Sequence, residues 1–299
     1  THLPNISNLN NIFDILGIMS KSGHNALGIC KIYKGKYATT DINEIVNDNN
    51  CDAVVIGTRH NLHAELVLKS IQNGINVLVE KPLCLTKVEL KKIKEFYENN
   101  DGPILMTGFN RRFAPVIQFI KSKIIKRSNP MIINYFMNAG YIDYNHWVHK
   151  AEGGGRNIGE ACHIYDLFIY LTESSHYCLS VNSITPNNKF YSKKDNFTVS
   201  IKFKDGTVAN LIYTSMGNKA ISKENMIICW DGNIIEMDNY FECKVNGETK
   251  FKNSSQNKGH KEEVEYFAEG IINKKFPISI SDQFEATQIS FLVEDQMNR

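Results

Sequence analysis

The stretch CDAVVIGTRHNLHAELVLKSIQNGINVLVE, residues 51–80, decides the fold class of this 299-residue chain. Its first part, residues 51–57, is a nearly continuous apolar run, which predicts a strand buried on both faces. The middle part has apolar residues at helical spacing, and Gly74 is placed to end that helix. Residues 75–80 predict the next strand. A strand, a helix and a second strand in this order are typical of a parallel sheet with crossover helices.

The same alternation continues on both sides of this stretch. Further strands are predicted over residues 13–20 and 104–108, and further helices over residues 22–34, 41–47 and 86–99. Thr86 and Glu89 form the capping-box pattern that begins the last of these helices. We therefore expect residues 1–128 to form an α/β domain with a doubly wound parallel sheet. Ligands of such sheets bind beyond the carboxyl ends of the strands.

The pattern changes after residue 128. Short apolar runs separated by hairpin-type turns predict strands over residues 131–138, 181–185, 197–204, 208–214, 226–231, 234–237 and 242–245. Helices are predicted over residues 156–171, 258–273 and 281–297. We expect residues 129–299 to form an α+β domain with a mostly antiparallel sheet.

The composition excludes several classes of protein. Lys and Arg number 34 and Asp and Glu 32, which gives a net charge of +2 and argues against a dedicated nucleic-acid binder. The longest apolar runs are far too short to cross a bilayer, so no membrane partner is expected. The seven cysteines form no CxxC pair and are odd in number, which favours reduced thiols over disulfides or a zinc site. With no signal-peptide pattern at the N-terminus, we expect a cytoplasmic protein.

The tripeptide Glu80-Lys81-Pro82 is the clearest chemical signal, because it stands at the end of a predicted buried strand. Pro82 favours an extended backbone at Lys81. A lysine at the carboxyl edge of a parallel strand points into the ligand crevice, where partial desolvation suits it to donate or accept a proton. The alternative is an ordinary strand-end lysine in solvent, and the tripeptide taken alone favours that alternative.

A second signal lies in residues 153–166, GGGRNIGEACHIYD. The three glycines let the backbone approach a ligand or another strand closely. On the helix that follows, one face is apolar and the other carries Glu160, His163, Asp166 and Tyr170. A titratable stripe on a half-buried helix is a candidate site, and the alternative is a solvated face.

A third signal follows the strand over residues 51–57. Asn61 is predicted to cap the next helix, whose N-terminus favours an anion. Arg59, His60 and His63 are then placed to approach a phosphate group. We expect no metal site, because no third and fourth ligand stand at zinc spacing.

Together with residues 108–113, GFNRRF, these motifs resemble the Gfo/Idh/MocA family, which contains glucose–fructose oxidoreductase and inositol dehydrogenase. The resemblance covers essentially the whole chain in the right order. More narrowly, residues 58–63 and 159–163 are similar to a branch that forms the C-terminal half of two-part oxidoreductases. The resemblance implies a Rossmann-type first domain and an NAD(P)-dependent oxidoreductase that acts on the CH–OH group of a sugar, a polyol or a sugar derivative.

The resemblance also implies roles for individual residues. Lys81 matches the lysine beside the nicotinamide that relays the proton, and His163 matches the histidine that hydrogen-bonds the reacting hydroxyl. Trp147 lies in a loop that often contacts the cofactor. The full set of cofactor contacts that we expect is Ser20, Lys21, Ser22, Thr58, Arg59, Asn61, His63, Glu80 and Trp147.

The chain departs from the family pattern at the catalytic carboxylate. The family has an Asp four residues before the histidine, and here that position is Gly159. Glu160 stands three residues before His163, and both spacings make neighbours on an α-helix. We therefore expect Glu160 to supply the catalytic carboxylate and to raise the pKa of His163. The alternative is that Glu160 only pairs with Arg156.

A larger departure concerns the cofactor's diphosphate. A dinucleotide fold needs G-x-G-x-x-G after its first strand, and the sequence contains no such motif. We expect that strand and loop to precede Thr1, in a longer two-part polypeptide; the alternative is that the cofactor crevice is incomplete. Lys21, flanked by Ser20 and Ser22, stands where NAD-binding folds place an acidic residue, so NADP is preferred to NAD; the alternative is a plain turn.

Two interpretations remain open. The first is a hydride-transfer enzyme, and the second is a non-catalytic relative that acts as a binding or scaffolding module. The coding sequence upstream of Thr1 discriminates between them. We also expect a homodimer or homotetramer formed through the second-domain sheet, with Ile201, Phe203, Leu211 and Tyr213 on its exposed face.

Overall fold

Two groups of parallel strands form the first part of the chain. In the computed structural model, which describes residues 2–298, the strands are β1 (Gly17–Met19), β2 (Tyr37–Thr39), β3 (Ala53–Ile56), β4 (Asn76–Val79) and β5 (Leu105–Thr107). β1 pairs in parallel with β2, and β4 pairs in parallel with both β3 and β5. Within residues 2–298 no ladder joins the first pair to the other three strands. The parallel α/β architecture of the prediction is confirmed.

Helices alternate with these strands. They are α1 (His2–Asn8), α2 (Gly23–Ile32), α3 (Ile42–Val46), α4 (His63–Gln72), α5 (Lys87–Asn99) and α6 (Pro115–Ile124). Helices α2 to α5 connect successive strands, whereas α1 precedes β1 and α6 follows β5. The capping box at the start of α5 forms as predicted, with Glu89 N–H donating to Thr86 Oγ1 at 3.2 Å. Gly74 follows α4 with a φ of 77°, which suits a residue without a Cβ.

The second part of the chain is built on one eight-stranded sheet. Its strands are β6 (Ile132–Asn138), β7 (His176–Ser183), β8 (Asn196–Phe203), β9 (Val208–Thr214), β10 (Glu224–Trp230), β11 (Asn233–Asp238), β12 (Glu242–Val245) and β13 (Glu248–Lys252). The spatial order is β13-β12-β11-β10-β6-β9-β8-β7, and only the pairing of β6 with β9 is parallel. The prediction of a mostly antiparallel sheet is confirmed. The limits 1–128 and 129–299 of the two domains stay a prediction.

The face of this sheet that the helices cover is the opposite of the predicted one. Ile201, Phe203, Leu211 and Tyr213, predicted to be exposed, are all buried in the main core. That core also contains the inward residues of α7 (Cys162–Thr172) and α9 (Ile280–Met297). Alternation along a strand separates two faces but does not say which one the helices will cover, and this is why the prediction was wrong.

The exposed face of the sheet has apolar side chains of its own. They come from four neighbouring strands and are Ile132, Ile212, Ile227 and Ile234. Among the described residues, no helix has the length and apolarity needed to cross a membrane.

The strand ends set the position of the candidate site. The registers Ile56↔Val79 and Val79↔Thr107 place the last residues of β3, β4 and β5 side by side. The segments that leave these strands therefore begin at one edge of the sheet. Helix α7 and α8 (His260–Asn273) bring the second domain to the same place.

Candidate functional site

A cavity of about 450 Å³ lies between the strand ends and the second domain. Five of the predicted site residues line it, namely Glu80, Lys81, Trp147, Glu160 and His163. Lining residues that were not predicted as site residues include Asn110, Arg111, Lys258 and His260. Among residues 2–298 there is no cluster of His, Cys, Asp and Glu that could hold a metal ion.

Lys81 leaves the end of β4 and enters this cavity, as the sequence predicts. Its Nζ donates a hydrogen bond of 2.7 Å to the carbonyl oxygen of Gly159. A lysine ammonium has three N–H groups, so further donors remain for a ligand. Lys81 is thus fixed by one backbone contact while it stays able to bind a substrate oxygen.

His163 lies in the first turn of α7 and is only 5% exposed. Its Nδ1 is buried and has no hydrogen-bond partner among the described residues. Burial, followed by the charges of Arg111 and Lys81, lowers the pKa of His163 well below its ordinary value. The expectation of a raised pKa is wrong. The imidazole is neutral at physiological pH and can accept a proton from a bound hydroxyl.

The carboxylate of Glu160 binds cations and a phenol, and it forms no hydrogen bond with His163. It accepts hydrogen bonds from Arg156 Nη2 at 2.9 Å, Lys223 Nζ at 2.7 Å and Tyr213 Oη at 2.5 Å. Burial raises the pKa of Glu160, but the charges of Lys223 and Arg156 outweigh it and bring the pKa down to about 2. The carboxylate is therefore ionised and fully occupied.

A π-helical turn explains why the expected pairing of Glu160 with His163 does not form. Residues Asn157–Ala161 adopt this turn immediately before α7 begins. The prediction used the spacing of an α-helix, in which residues three apart are neighbours. A π turn has more residues per turn than an α-helix, so it changes the direction of Glu160 relative to His163.

Gly159 lies where the protein has no room for a larger residue. A Cβ at this position would be 3.0 Å from Cε1 and 3.3 Å from Nδ1 of the His60 ring. That ring is itself held, because its Nδ1 lies 2.8 Å from the carbonyl oxygen of Gly153. An acidic side chain at residue 159 would therefore require His60 to move.

Glu80 is held by a residue from the start of the described chain. Its Oε1 lies 2.6 Å from Nε2 of His2, in α1. Burial raises the pKa of Glu80, but the hydrogen bond and charge of His2, together with Lys81, lower it to about 2. Glu80 thus contributes a negative charge to the cavity beside Lys81.

The segment between β3 and α4 differs from the prediction at its helix cap. Asn61 lies inside a 3₁₀ turn, His60–Leu62, and α4 begins only at His63. Asn61 therefore does not cap the helix, since the extra turn displaces the helix start. The guanidinium carbon of Arg59 lies 4.1 Å from the ring centroid of Trp147, which is a cation–π contact at the edge of the cavity.

His63 is completely buried, so it cannot contact a phosphate as predicted. Its Nδ1 donates to the carbonyl oxygen of Pro82 at 2.7 Å, and its Nε2 lies 3.3 Å from the carbonyl oxygen of Thr58. The imidazole therefore connects the segment after β3 with the segment after β4. The hydroxyl of Thr58 donates to the Arg59 carbonyl oxygen at 3.2 Å.

The three residues predicted to distinguish the cofactors follow β1 and do not line the cavity. Ser22 caps α2 by accepting a hydrogen bond from the Asn25 N–H at 3.5 Å. Lys21 is exposed. Their contact with a cofactor stays a prediction.

A buried charged cluster forms one wall of the cavity. Glu224 accepts hydrogen bonds from Arg111 Nε at 2.8 Å, Lys258 Nζ at 2.6 Å and Tyr135 Oη at 2.6 Å. Burial raises the pKa of Glu224, but Arg111 and Lys258 outweigh it and lower the pKa. Residues 108–113 were quoted as a motif, so Arg111 was within reach of prediction. Lys258 carried no signal, because it precedes an ordinary helix start.

The residues present fit one end of a nicotinamide cofactor. Lys81 and the unpartnered imidazole of His163 suit the reacting end, where a proton must move near a hydroxyl. The described residues contain no G-x-G-x-x-G loop for the diphosphate. The fit therefore concerns the reacting end of the cofactor.

Comparison with known proteins agrees with this architecture. Residues 1–109 match a Gfo/Idh/MocA model described as "Oxidoreductase family, NAD-binding Rossmann fold". Residues 132–286 match the companion model, "Oxidoreductase family, C-terminal alpha/beta domain". An oxidoreductase structure from Thermotoga maritima superposes with a TM-score of 0.81 at 20% identity, covering 99% of this chain and 91% of that one.

Two curated relatives are similar in sequence over about half of the chain. The 4-carboxy-2-hydroxymuconate-6-semialdehyde dehydrogenase of Sphingobium is 27% identical over 183 residues, which are 56% of this chain and 54% of that protein. The scyllo-inositol 2-dehydrogenase (NAD(+)) of Bacillus subtilis is 28% identical over 173 residues, 56% of this chain and 50% of that protein. The matches span about half the length of these relatives.

Proposed function

The chain belongs to the Gfo/Idh/MocA oxidoreductase family, and from this premise we propose that it transfers a hydride between a nicotinamide cofactor and the CH–OH group of a sugar, polyol or sugar derivative. The observation that carries the proposal is that Lys81 and His163 line one cavity at the carboxyl ends of the parallel strands. Ligands of such sheets bind at this edge.

The two side chains have different tasks in the proposed reaction. A bound nicotinamide would supply the hydride acceptor for the carbinol carbon of the substrate. His163 is neutral and accepts the proton of the hydroxyl, while Lys81 donates a hydrogen bond to the same oxygen. The charges of Lys81 and Arg111 stabilise the negative charge that develops on that oxygen as the proton leaves.

The test is a titration of the full chain with NADH and NADPH, followed by fluorescence. We expect saturable binding of at least one of them. A screen of sugars and polyols with the oxidised cofactor should then show absorbance from the reduced nicotinamide. Failure of both cofactors to bind would overturn the proposal.

For the cofactor, we propose NADP in preference to NAD. Support comes from Lys21, whose exposed ammonium follows β1 between two hydroxyl side chains and suits a 2′-phosphate. The same titration tests it. NADPH should bind more tightly than NADH, and Lys21→Asp should reverse the order; equal affinities would overturn the preference.

We also propose a homodimer or homotetramer in the cytoplasm. The exposed isoleucines of the sheet, Ile132, Ile212, Ile227 and Ile234, support association through that face. Light scattering at micromolar concentration tests this, and a monomer would contradict it. The seven cysteines are free, as suits a reducing compartment.

A second candidate is a non-catalytic binding module. The observation in its favour is that Glu160 is held by Arg156 and Lys223, so that no carboxylate supports His163 from residue 159 or 160. This candidate predicts that a cofactor binds without turnover of any sugar or polyol. Turnover that depends on Lys81 would exclude it.

A further inference from the structure

The cavity has more positive than negative charge. Five cationic side chains lie on or directly behind its wall: Lys81, Arg111, Arg156, Lys223 and Lys258. They face three carboxylates: Glu80, Glu160 and Glu224. With histidines counted as neutral, two positive charges remain uncompensated. An excess of this kind favours a ligand that supplies negative charge.

One wall holds donors that no carboxylate of the protein uses. The Arg111 fork binds Glu224 through Nε and Nη2, and its Nη1 has no acceptor among residues 2–298. Lys258 Nζ uses one of its three N–H groups on Glu224. Arg156, by contrast, has both terminal nitrogens bound and a side chain that is only 1% exposed. On this wall the available donors are therefore those of Arg111 and Lys258, in addition to Lys81 at the strand end.

The segment that carries Lys258 is fixed before any ligand binds. Asn110 Nδ2 donates to the Lys258 carbonyl oxygen at 2.7 Å and lies 3.3 Å from His260 Nε2. Gly259, between them, has a φ of 84°, and a Cβ there would lie 2.4 Å from the Asn110 carbonyl oxygen. Only glycine fits this conformation and this space. Lys258 and His260 are thus held on the cavity wall.

Nearby cations lower the pKa of His163. After burial, the largest causes that lower its pKa are the charges of Arg111 and Lys81, and the charge of Lys258 acts in the same direction. The cations therefore act on the same region in which the reacting hydroxyl binds.

We propose that Arg111 and Lys258 bind an anionic group of the substrate, so that the preferred substrates are sugars or polyols that carry a carboxylate or a phosphate. This inference rests on the proposed function and names its substrate class. Lys258 supplies a charged donor, and Arg111 supplies Nη1 beside it. Glu224 holds both cations in place and compensates only one of their two charges.

The experiment compares acidic sugars with their neutral parent. Glucuronate, glucose 6-phosphate and glucose are titrated calorimetrically against the full chain with saturating reduced cofactor. We expect at least one acidic probe to bind ~10-fold or more tightly than glucose, as for one charge-assisted hydrogen bond. Tighter binding of glucuronate would identify the anionic group as a carboxylate, and tighter binding of glucose 6-phosphate would identify it as a phosphate. Equal or weaker binding of both acidic probes would overturn the inference.

Two variants test whether Lys258 is responsible for the tighter binding of the acidic probe. Lys258→Met removes the ammonium, while Glu224 keeps its bonds to Arg111 and Tyr135, so the fold should persist. It should cost ~10-fold in affinity for the acidic probe. Lys261→Met, on an exposed side chain three residues later in α8, is the matched control and should leave that affinity unchanged. Equal losses in both variants would contradict the assignment.

The cofactor titration separates failure of the inference from failure of the proposed function. If Lys258→Met weakens NADH or NADPH as much as the acidic sugar, the wall binds the cofactor's phosphates and the inference is wrong. If the cofactor binds and neutral sugars react without any preference for acids, the inference alone fails. If no cofactor binds, the proposed function fails, whatever the sugars do.

Discussion

Lys81 Nζ is bound to the carbonyl oxygen of Gly159 at 2.7 Å, so the residue at the end of β4 is tied to the π-helical turn before α7. The bond joins the two halves of the molecule at the cavity. It holds Lys81 on the same side as His163 without using a carboxylate. The position of the ammonium therefore depends on backbone geometry, which a side-chain substitution at residue 159 would disturb through His60.

We predict that Lys81→Ala lowers kcat by ~10²-fold or more, the scale of losing one donor that stabilises a developing oxyanion. The unfolding midpoint should change little, because Lys81 is partly exposed and its loss opens no apolar cavity. Steady-state kinetics and thermal unfolding measure the two effects. Lys81→Arg is the matched variant, since it keeps the charge but does not titrate. A rate near wild type in Lys81→Ala would exclude the catalytic role.

Glu160→Gln should leave kcat almost unchanged and lower the free energy of unfolding by about 1–3 kcal/mol at neutral pH. The variant leaves Arg156 and Lys223 without their carboxylate. Because the folded pKa is lowered to about 2, this stabilisation is present above the ordinary pKa and is lost as pH falls toward 2. Urea unfolding from pH 5 down to about pH 2 should therefore show the two proteins converging. A large loss of kcat with unchanged stability would restore Glu160 to the mechanism.

His163 should remain neutral through the pH range in which an ordinary histidine titrates, about pH 6.5. Burial and the neighbouring cations oppose its protonation. NMR titration of imidazole signals, assigned through His163→Gln, should show no protonation of His163 at that pH. The value of kcat/KM should likewise show no change near pH 6.5 that arises from protonation of His163. A His163 pKa at or above the ordinary value would contradict the described environment.

Glu263→Gln should stabilise the protein, and the gain should increase with pH. Glu263 in α8 is 1% exposed, and its Oε1 has no hydrogen-bond partner among residues 2–298. Burial, with the charges of Glu80 and Asp166, raises the pKa of Glu263 well above its ordinary value. The protonated form therefore stabilises the fold at low pH, and this contribution is lost as pH rises.

Chemical unfolding between pH 5 and pH 8 measures the Glu263 effect. The control is Glu265→Gln on the same helix, where the carboxylate pairs with Lys261 near the surface. That variant should change stability by less than about 0.5 kcal/mol at any pH in the range. A destabilising effect of Glu263→Gln that grows with pH would show that the buried carboxyl is ionised.

The parallel strands were predictable because each one is an apolar run between helical patterns. β3 and β4 begin and end within two residues of the predicted limits. β2, Tyr37–Thr39, was missed because it lies between Lys36 and Thr40 and forms no apolar run like those of β1 and β5. The covered face of the large sheet was missed because burial depends on where the helices pack. Lys81 and His163 could be predicted because their motifs stand at the end of a strand, β4, and at the start of a helix, α7.

The rest of the site depends on contacts between distant segments. Lys258 reaches Glu224 and Asn110 only after the chain has formed both domains. The orientation of Glu160 depends on a π turn, for which the residues 157–161 carry no recognisable signal. Local spacing predicts neighbours on a regular helix and cannot predict a change in helix type.

The two carbonyl contacts of His63 bear on how the sequence of the neighbouring segment can change during evolution. One buried imidazole links Thr58 to Pro82 and so fixes the separation of two neighbouring strand ends. The exposed residues between them, including Arg59 and Asn61, can then change without displacing Lys81. Recognition of a new cofactor or substrate can thus be acquired in this segment while the proton-handling lysine keeps its place.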